Sequence, residues 1–175
     1  MTPHLADTPV IETERLTLRA PVPSDVDMFV SIYGSERSEF IGGHKAPRQA
    51  WDFFCTELGH WAVRGFGMFT VTFRGGNTPL GIVGHWCPPN WPEQEIGWVL
   101  TESAEGRGIA YEAARACINH AYEVLGWKTA VSYIATENAR SITLAERLGA
   151  SLDRSAEAPY ADTLVYRHPA PEVLQ

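Results

Sequence analysis

The segment Ala104–Ala113, AEGRGIAYEA, sets two glycines with one residue between them and then opens an alanine-rich run of helical character. Glycine loses more backbone freedom on folding than any other residue, so a pair of them at a helix start points to something a side chain would obstruct. The first turn of a helix carries unpaired N–H groups and a partial positive charge. A diphosphate can accept those hydrogens if the main chain comes close enough. Gly106 and Gly108 leave that approach open, with Ile109 and Ala110 supplying further main-chain donors. Arg107 brings positive charge, and Ala110, Ala113, Ala114 and Cys117 are small enough for the helix to lie tight on a sheet. On this stretch alone, a glycine-rich turn with no ligand reads as well.

Other phosphate motifs fit poorly. No stretch has the spacing of a Walker loop, with its closing Gly-Lys and Ser or Thr. A dinucleotide fingerprint needs a third glycine and an acid on the next strand, and the next strand-like run, WKTAVSYIAT, has no acid.

The loop must be positioned by its neighbours, and the chain divides readily. Ile11–Ala20 alternates Leu16 and Leu18 with polar residues, as a strand does. PVPSDVDMFVSIYG predicts a helix capped by Ser24, and RQAWDFFCTELGHWAVRGFG a second with Trp51, Phe54, Cys55, Leu58 and Trp61 along one side. Met68–Arg74 and Leu80–Trp86 flank a Gly-Gly-Asn turn as a hairpin, and QEIGWVLTE follows as a third central strand. The helix after the glycine loop ends near Gly126. One further strand, a short helix capped by Asn138, and two short strands at Ser151–Ser155 and Thr163–Arg167 complete the order. Hairpins mixed with helix crossovers predict an α+β single sheet rather than a doubly wound parallel fold. One domain at 10–168 is expected, with tails at 1–9 and 169–175.

Bulk composition narrows the function classes. The chain has 175 residues, 45% apolar and 20% charged, with a net charge of −7. That balance speaks against duplex nucleic acid, which calls for clustered Lys and Arg. It suits a cationic substrate or plain solubility. Cys55, Cys87 and Cys117 are odd in number and widely spaced, which is neither a disulfide framework nor a zinc site. A reducing, cytoplasmic location is the expectation, with no signal peptide, no membrane span and no metal. His85 and His44 have no second ligand at metal spacing.

EIGWVLTESAEGRGIAYEAARACINHAYEVLGW, followed by YIATENARSITLAERLGA, resembles the GNAT N-acetyltransferase family, and within it the RimJ/RimL branch. ETERLTLRAP near the start and LGIVG before EIGW agree, so the resemblance runs over roughly residues 10 to 168. It implies a GNAT-like single mixed, mostly antiparallel sheet of about seven strands flanked by about four helices. It implies acetyl-CoA as cosubstrate and a primary amine as acceptor, on a protein N-terminus or a small molecule, in a monomer or homodimer. The family's pyrophosphate loop maps onto Glu105, Gly106, Arg107, Gly108, Ile109 and Ala110; Glu105 stands where Gln or Arg is usual and is expected in solvent. Pantetheine would run beside EIGWVLT, bonded by main-chain groups of Val99 and Thr101, with an N–H near Val99 or Leu100 at the thioester oxygen. Asn138 maps onto the asparagine that lies near the coenzyme in the family.

Proton handling follows from the same resemblance. Many relatives place a tyrosine where this chain has Ala145, so Ser141 or a water must protonate the departing thiolate; the other reading of Ser141 is helix capping alone. A thiol pKa of roughly 8.5 means the leaving group needs little help. The nucleophile must be a neutral amine. An α-amino group is about one-tenth neutral at pH 7, a lysine about once in 2,500. Glu95 is the foremost base, near apolar Trp86 and Trp98, with Glu93 beside it; a solvated strand-end acid is the other reading for both. The acceptor is expected between FIGGHKAPRQAW and SAEAPYAD, where some of Trp51, Trp61, Trp86, Trp91 and Trp98 could face a cation. Cys87 has no neighbouring base in CPPNWP. The alternative to an enzyme is a non-catalytic acyl-CoA-binding regulatory module, motivated by Glu105 and the absent tyrosine.

Overall fold

The computed structural model describes residues 8–171. Of the tails expected at 1–9 and 169–175, positions 1–7 and 172–175 lie outside the described residues. Eight strands form one sheet: β1 (Ile11–Glu12), β2 (Leu16–Arg19), β3 (Met68–Phe73), β4 (Gly81–Trp86), β5 (Glu95–Leu100), β6 (Val131–Ala135), β7 (Ser151–Leu152) and β8 (Thr163–Arg167). Their order is β1-β2-β3-β4-β5-β6-β8-β7. Every pairing is antiparallel except β5 with β6. Four helices flank it: α1 (Val26–Tyr33), α2 (Pro47–Arg64), α3 (Ile109–Glu123) and α4 (Ala139–Arg147).

The eighth strand arises where the sequence reads as one run. Thr13 turns the chain, its N–H donating to Leu16 O at 2.9 Å, so Ile11–Ala20 is a small hairpin rather than a single strand. Ser24 does not cap α1. It sits in a 3-10 turn, Pro23–Asp25, and Asp25 takes the structural role. The Asp25 carboxylate is 1% exposed and accepts from both Arg19 guanidinium nitrogens, the Val22 N–H and the Thr70 hydroxyl. A buried carboxylate is tolerated when its lone pairs are filled in this way.

Helices cover both faces. Leu16, Leu18, Phe69, Val71, Val83, Ile96 and Leu100 pack against Ile109, Ala113, Ala114 and Cys117 of α3. The alanines let that helix approach closely, and each larger aliphatic chain here contributes about 1.5–3 kcal/mol by leaving water. On the other face, Met68 and Ile82 meet Met28, Phe29, Ile32 and Tyr33 of α1 and Ala50 and Phe54 of α2. The buried side of α2 is Ala50, Phe54, Glu57, His60 and Trp61, at helical spacing; Trp51 is 47% exposed and Cys55 is exposed. The stripe is thus rotated from the aromatic one expected, and it carries an acid.

The parallel pair is incomplete. β5 and β6 are in register only at Glu95↔Val131, where Val131 N donates to Gln94 O at 3.1 Å. One residue on, the Ser132 hydroxyl donates to Ile96 O at 2.6 Å in place of a main-chain bond, and it accepts from His168 Nε2 at 2.9 Å. Beyond that point the strands part, leaving a slit in the middle of the sheet.

Candidate active site

The glycine loop stands at one side of this slit. Gly106 has φ 69° and Gly108 φ 73°, a left-handed conformation that side chains resist. A Cβ at Gly106 would meet nothing within 4 Å, so the space over it is open. Among the described residues no protein oxygen accepts from the N–H groups of Gly106, Arg107, Gly108, Ile109 or Ala110. The Arg107 carbonyl, by contrast, is held by Arg15 Nη1 at 3.1 Å. Glu112 fixes Arg15 in turn through its Nε at 2.6 Å and its main-chain N at 2.9 Å. The Arg107 guanidinium lies 4.8 Å from the centre of the Phe73 ring.

Glu105 does not point into solvent. Its carboxylate bridges Arg37, from the segment between α1 and α2, and Arg140, from α4. Two guanidinium groups compensate one carboxylate, which removes the clash expected beside a diphosphate. A cavity of about 620 Å³ opens here, bounded by Arg37, Gly106, Gly108, Ala110, Asn138 and Ser141 among others. Free amides, open space over the glycines and the guanidinium groups of Arg37 and Arg140 fit the diphosphate of the acetyl-CoA that the resemblance implies.

Strand β5 offers pantetheine a different set of groups from those expected. Main-chain groups alternate sides along a strand. The Ile96 carbonyl faces β6, as its bond with Ser132 requires, so those of Trp98 and Leu100 face the slit. Val99 turns its main-chain groups to Ile82 of β4. The Thr101 N–H donates to Leu80 O at 2.9 Å. The main-chain groups of Val99 and Thr101 are therefore turned to β4 and away from the slit, while the Val99 side chain lines it.

Asn138 caps α4, its side chain accepting from Ser141 N at 3.1 Å. That frees the Ser141 hydroxyl from capping. Trp98 Nε1 instead donates to Ser141 Oγ at 3.1 Å. With a lone pair taken by the indole, the hydroxyl keeps its own hydrogen to give.

On the opposite side lies a second cavity, of about 690 Å³, bounded by residues of both stretches expected at the acceptor site, Phe40 and Ile41 among them on one side and Tyr160 on the other. Trp86, Trp91 and Trp98 line it; Trp61 is in the core. The two cavities share Trp98, Val99, Asn138 and Ser141, so they meet at the slit. Glu95 is on the wall of the second. Trp91 Nε1 donates to its Oε2 at 2.8 Å. Burial raises its carboxyl to about 7, against the pull of that bond and of one with the Tyr133 main chain. Glu93 is instead tied up by Arg167 through two bonds of 2.8 Å.

Glu57 of α2 lines the same cavity and was not foreseen. It is 2% exposed, and its Oε2 has no hydrogen-bond partner among the described residues. Burial, then the charge of Glu95, raises its carboxyl to about 8. Its place three residues after Phe54 and four before Trp61 was the available signal. Cys87 does have an imidazole nearby, since its N–H donates to His60 Nε2 at 3.0 Å, but burial raises its thiol and makes it a poor nucleophile. Among the described residues no His, Cys, Asp and Glu group is placed to hold a metal ion, and no helix is long and apolar enough to cross a membrane.

Known proteins share this arrangement. An acetyltransferase from Agrobacterium tumefaciens str. C58 is 36% identical, with a TM-score of 0.88 over 97% of this chain and 99% of its own. The RimL ribosomal L7/L12 alpha-N-protein acetyltransferase in complex with coenzyme A is 18% identical, TM-score 0.73, over 93% and 98%. An acetyltransferase from Salmonella typhimurium that modifies the N-terminal serine of ribosomal protein L7/L12 is 19% identical, TM-score 0.73, over 91% and 98%. These last two share the fold. Residues 15–151 match the family model of the GNAT acetyltransferase domain. The glycine loop, the parted strands and these matches agree: the chain belongs to the GNAT acetyltransferase family, whose members use acetyl-CoA.

Proposed function

We propose that this protein moves an acetyl group from acetyl-CoA to a primary amine by direct attack in a ternary complex. The observation that carries this is the meeting of the two cavities at Trp98 and Ser141, with free amides on one side and a half-buried proton acceptor on the other. The main-chain donors from Gly106 to Ala110 would hold the diphosphate, with Asn138 and Val99 along the arm and the main chains of Trp98 and Leu100 beside the pantetheine. Arg107 would contribute only through its N–H. Glu95 takes a proton from the amine as the C–N bond forms. Ser141 gives its hydrogen to the departing sulfur. A carboxyl near 7 suits a base at neutral pH, which favours turnover over a binding-only module.

The acceptor is a primary amine on a small molecule or at a protein N-terminus; the RimL relatives act on the latter, and a RimJ/RimL-like activity is part of this reading. The test has two parts. Coenzyme A is expected to raise the melting temperature by several degrees, and thiol release from acetyl-CoA is expected with at least one member of a panel of free amines and N-terminal peptides. No thermal shift at millimolar coenzyme A, or a shift without turnover on any acceptor, would sink the enzymatic reading.

A further inference from the structure

The acceptor cavity holds two carboxylates where proton transfer needs one. Glu57 projects from α2 and Glu95 from β5, on the same face of the sheet, and the charge of Glu95 adds to the upward shift of Glu57. Glu95 is held through Oε2, whereas Glu57 Oε2 is bonded to nothing among the described residues. A buried carboxyl oxygen without a donor is costly, and folding alone does not repay it here. Aromatic rings of Tyr33, Trp86 and Trp91 line the same space and add nothing that donates to it. A donor carried by whatever binds would fill that place on the ionised carboxylate.

A primary ammonium supplies it. It has three N–H donors on one atom, enough to meet Glu95 and Glu57 together. We propose that Glu57 is a second amine-binding carboxylate, gripping a primary ammonium between itself and Glu95 and selecting acceptors with no carboxylate beside the amine. This rests on reading the cavity as the acceptor site. The stoichiometry suits the pair. An ammonium must lose two protons to become an amide nitrogen. One goes to a carboxylate before attack, and the second goes to the other as the C–N bond forms and the C–S bond breaks. One proton is returned to the sulfur through Ser141 and one is released to solvent, so cation and thioester give amide, thiol and one proton. A carboxylate next to the amine would face Glu57 and be repelled. The other titratable groups on the cavity are Tyr33 of α1, Glu39 and Lys45 between α1 and α2, Tyr133 of β6, and Tyr160. Lys45 is held over Tyr33 at 5.2 Å and bonds Gly42 O at 2.9 Å, so its charge is already engaged.

The experiment follows both carboxyls directly. Protein labelled with ¹³C at glutamate carboxyls is titrated by NMR with coenzyme A present, alone, with phenethylamine, or with phenylalanine. E57Q and E95Q assign the two resonances. Both midpoints are expected to fall on adding phenethylamine and to hold still with phenylalanine. If Glu95 moves and Glu57 does not, the proposal is overturned while the acceptor site stands; if neither moves, both are overturned. In kinetics with the intact enzyme, E57Q is expected to raise KM for phenethylamine by about tenfold or more, the worth of one charge-assisted hydrogen bond, with partial rescue by E57D. An E57Q enzyme with unchanged KM and pH profile would also overturn it.

Discussion

Replacing Glu57 by glutamine should change how stability depends on pH, and the size follows from the burial. The carboxyl sits at about 8 in the folded protein against 4.5 for the free group. A raised carboxyl keeps its proton in the fold after the unfolded chain has lost it, so stability falls as pH rises and levels off above about 8. One pKa unit corresponds to about 1.36 kcal/mol, so the stretch from pH 6.5 to 8 removes about 2 kcal/mol. For a chain of this size that is a fall of about 4–8 °C in Tm. The buried histidines act elsewhere. His85 and His168 are pushed down to about 4 by burial, so their effect lies below 6.5 and has the opposite sign. Glu95, at about 7, adds a smaller fall near the bottom of the window in both proteins. In E57Q the introduced amide would be as poorly paired as the acid it replaces, giving a constant offset, so the slope is the readout. Thermal scans from pH 6.5 to 9 should show the wild type losing several degrees more than E57Q. Parallel curves would refute the reasoning, because they would mean that Glu57 ionises in the fold as freely as in water.

Three further outcomes follow. E95Q should lower kcat/KM by about 100-fold or more, and the rise in rate through about pH 7, where Glu95 ionises, should vanish from its pH profile. Gly108→Ala places a Cβ at φ 73° and 3.5 Å from Arg15 Nη2; calorimetry should show weaker coenzyme A binding and a loss of about 1–2 kcal/mol in stability. Glu105→Gln leaves Arg37 and Arg140 uncompensated, so coenzyme A should bind about two- to fivefold more tightly at low salt, with the gain fading as ionic strength rises.

Much of the fold was legible because local signals agreed with it. Alternation marked β3 to β5, and Gly65, Gly126 and Gly149, all at positive φ, marked chain reversals. The glycine loop was readable because glycines at a helix start have few other uses. What escaped depended on distant partners. Glu105 looked misplaced until Arg37 and Arg140, 68 and 35 residues away, came to meet it. The Ser141 hydroxyl found its role through Trp98, 43 residues back. Glu57 is hidden in the sequence because an acid on a helix ordinarily faces water; on an apolar stripe it is the informative residue. The small hairpin at Thr13 was hidden by an unbroken strand-like pattern, since a side-chain turn leaves little trace in polarity.

The parted strands make the sheet a partition between two rooms with separate furnishings. The thioester side is built largely from residues 104–110 and 140–147, the amine side from residues 45–57 and the stretch near Tyr160, while β5, residues 39–41, Asn138 and Ser141 serve both. Changes to one wall need not disturb the other. Acceptor preference can therefore drift by exchange of the loop before β8 while the donor machinery is inherited intact, and chimaeras between relatives are best cut there rather than in the α1–α2 connection, whose Arg37 holds Glu105.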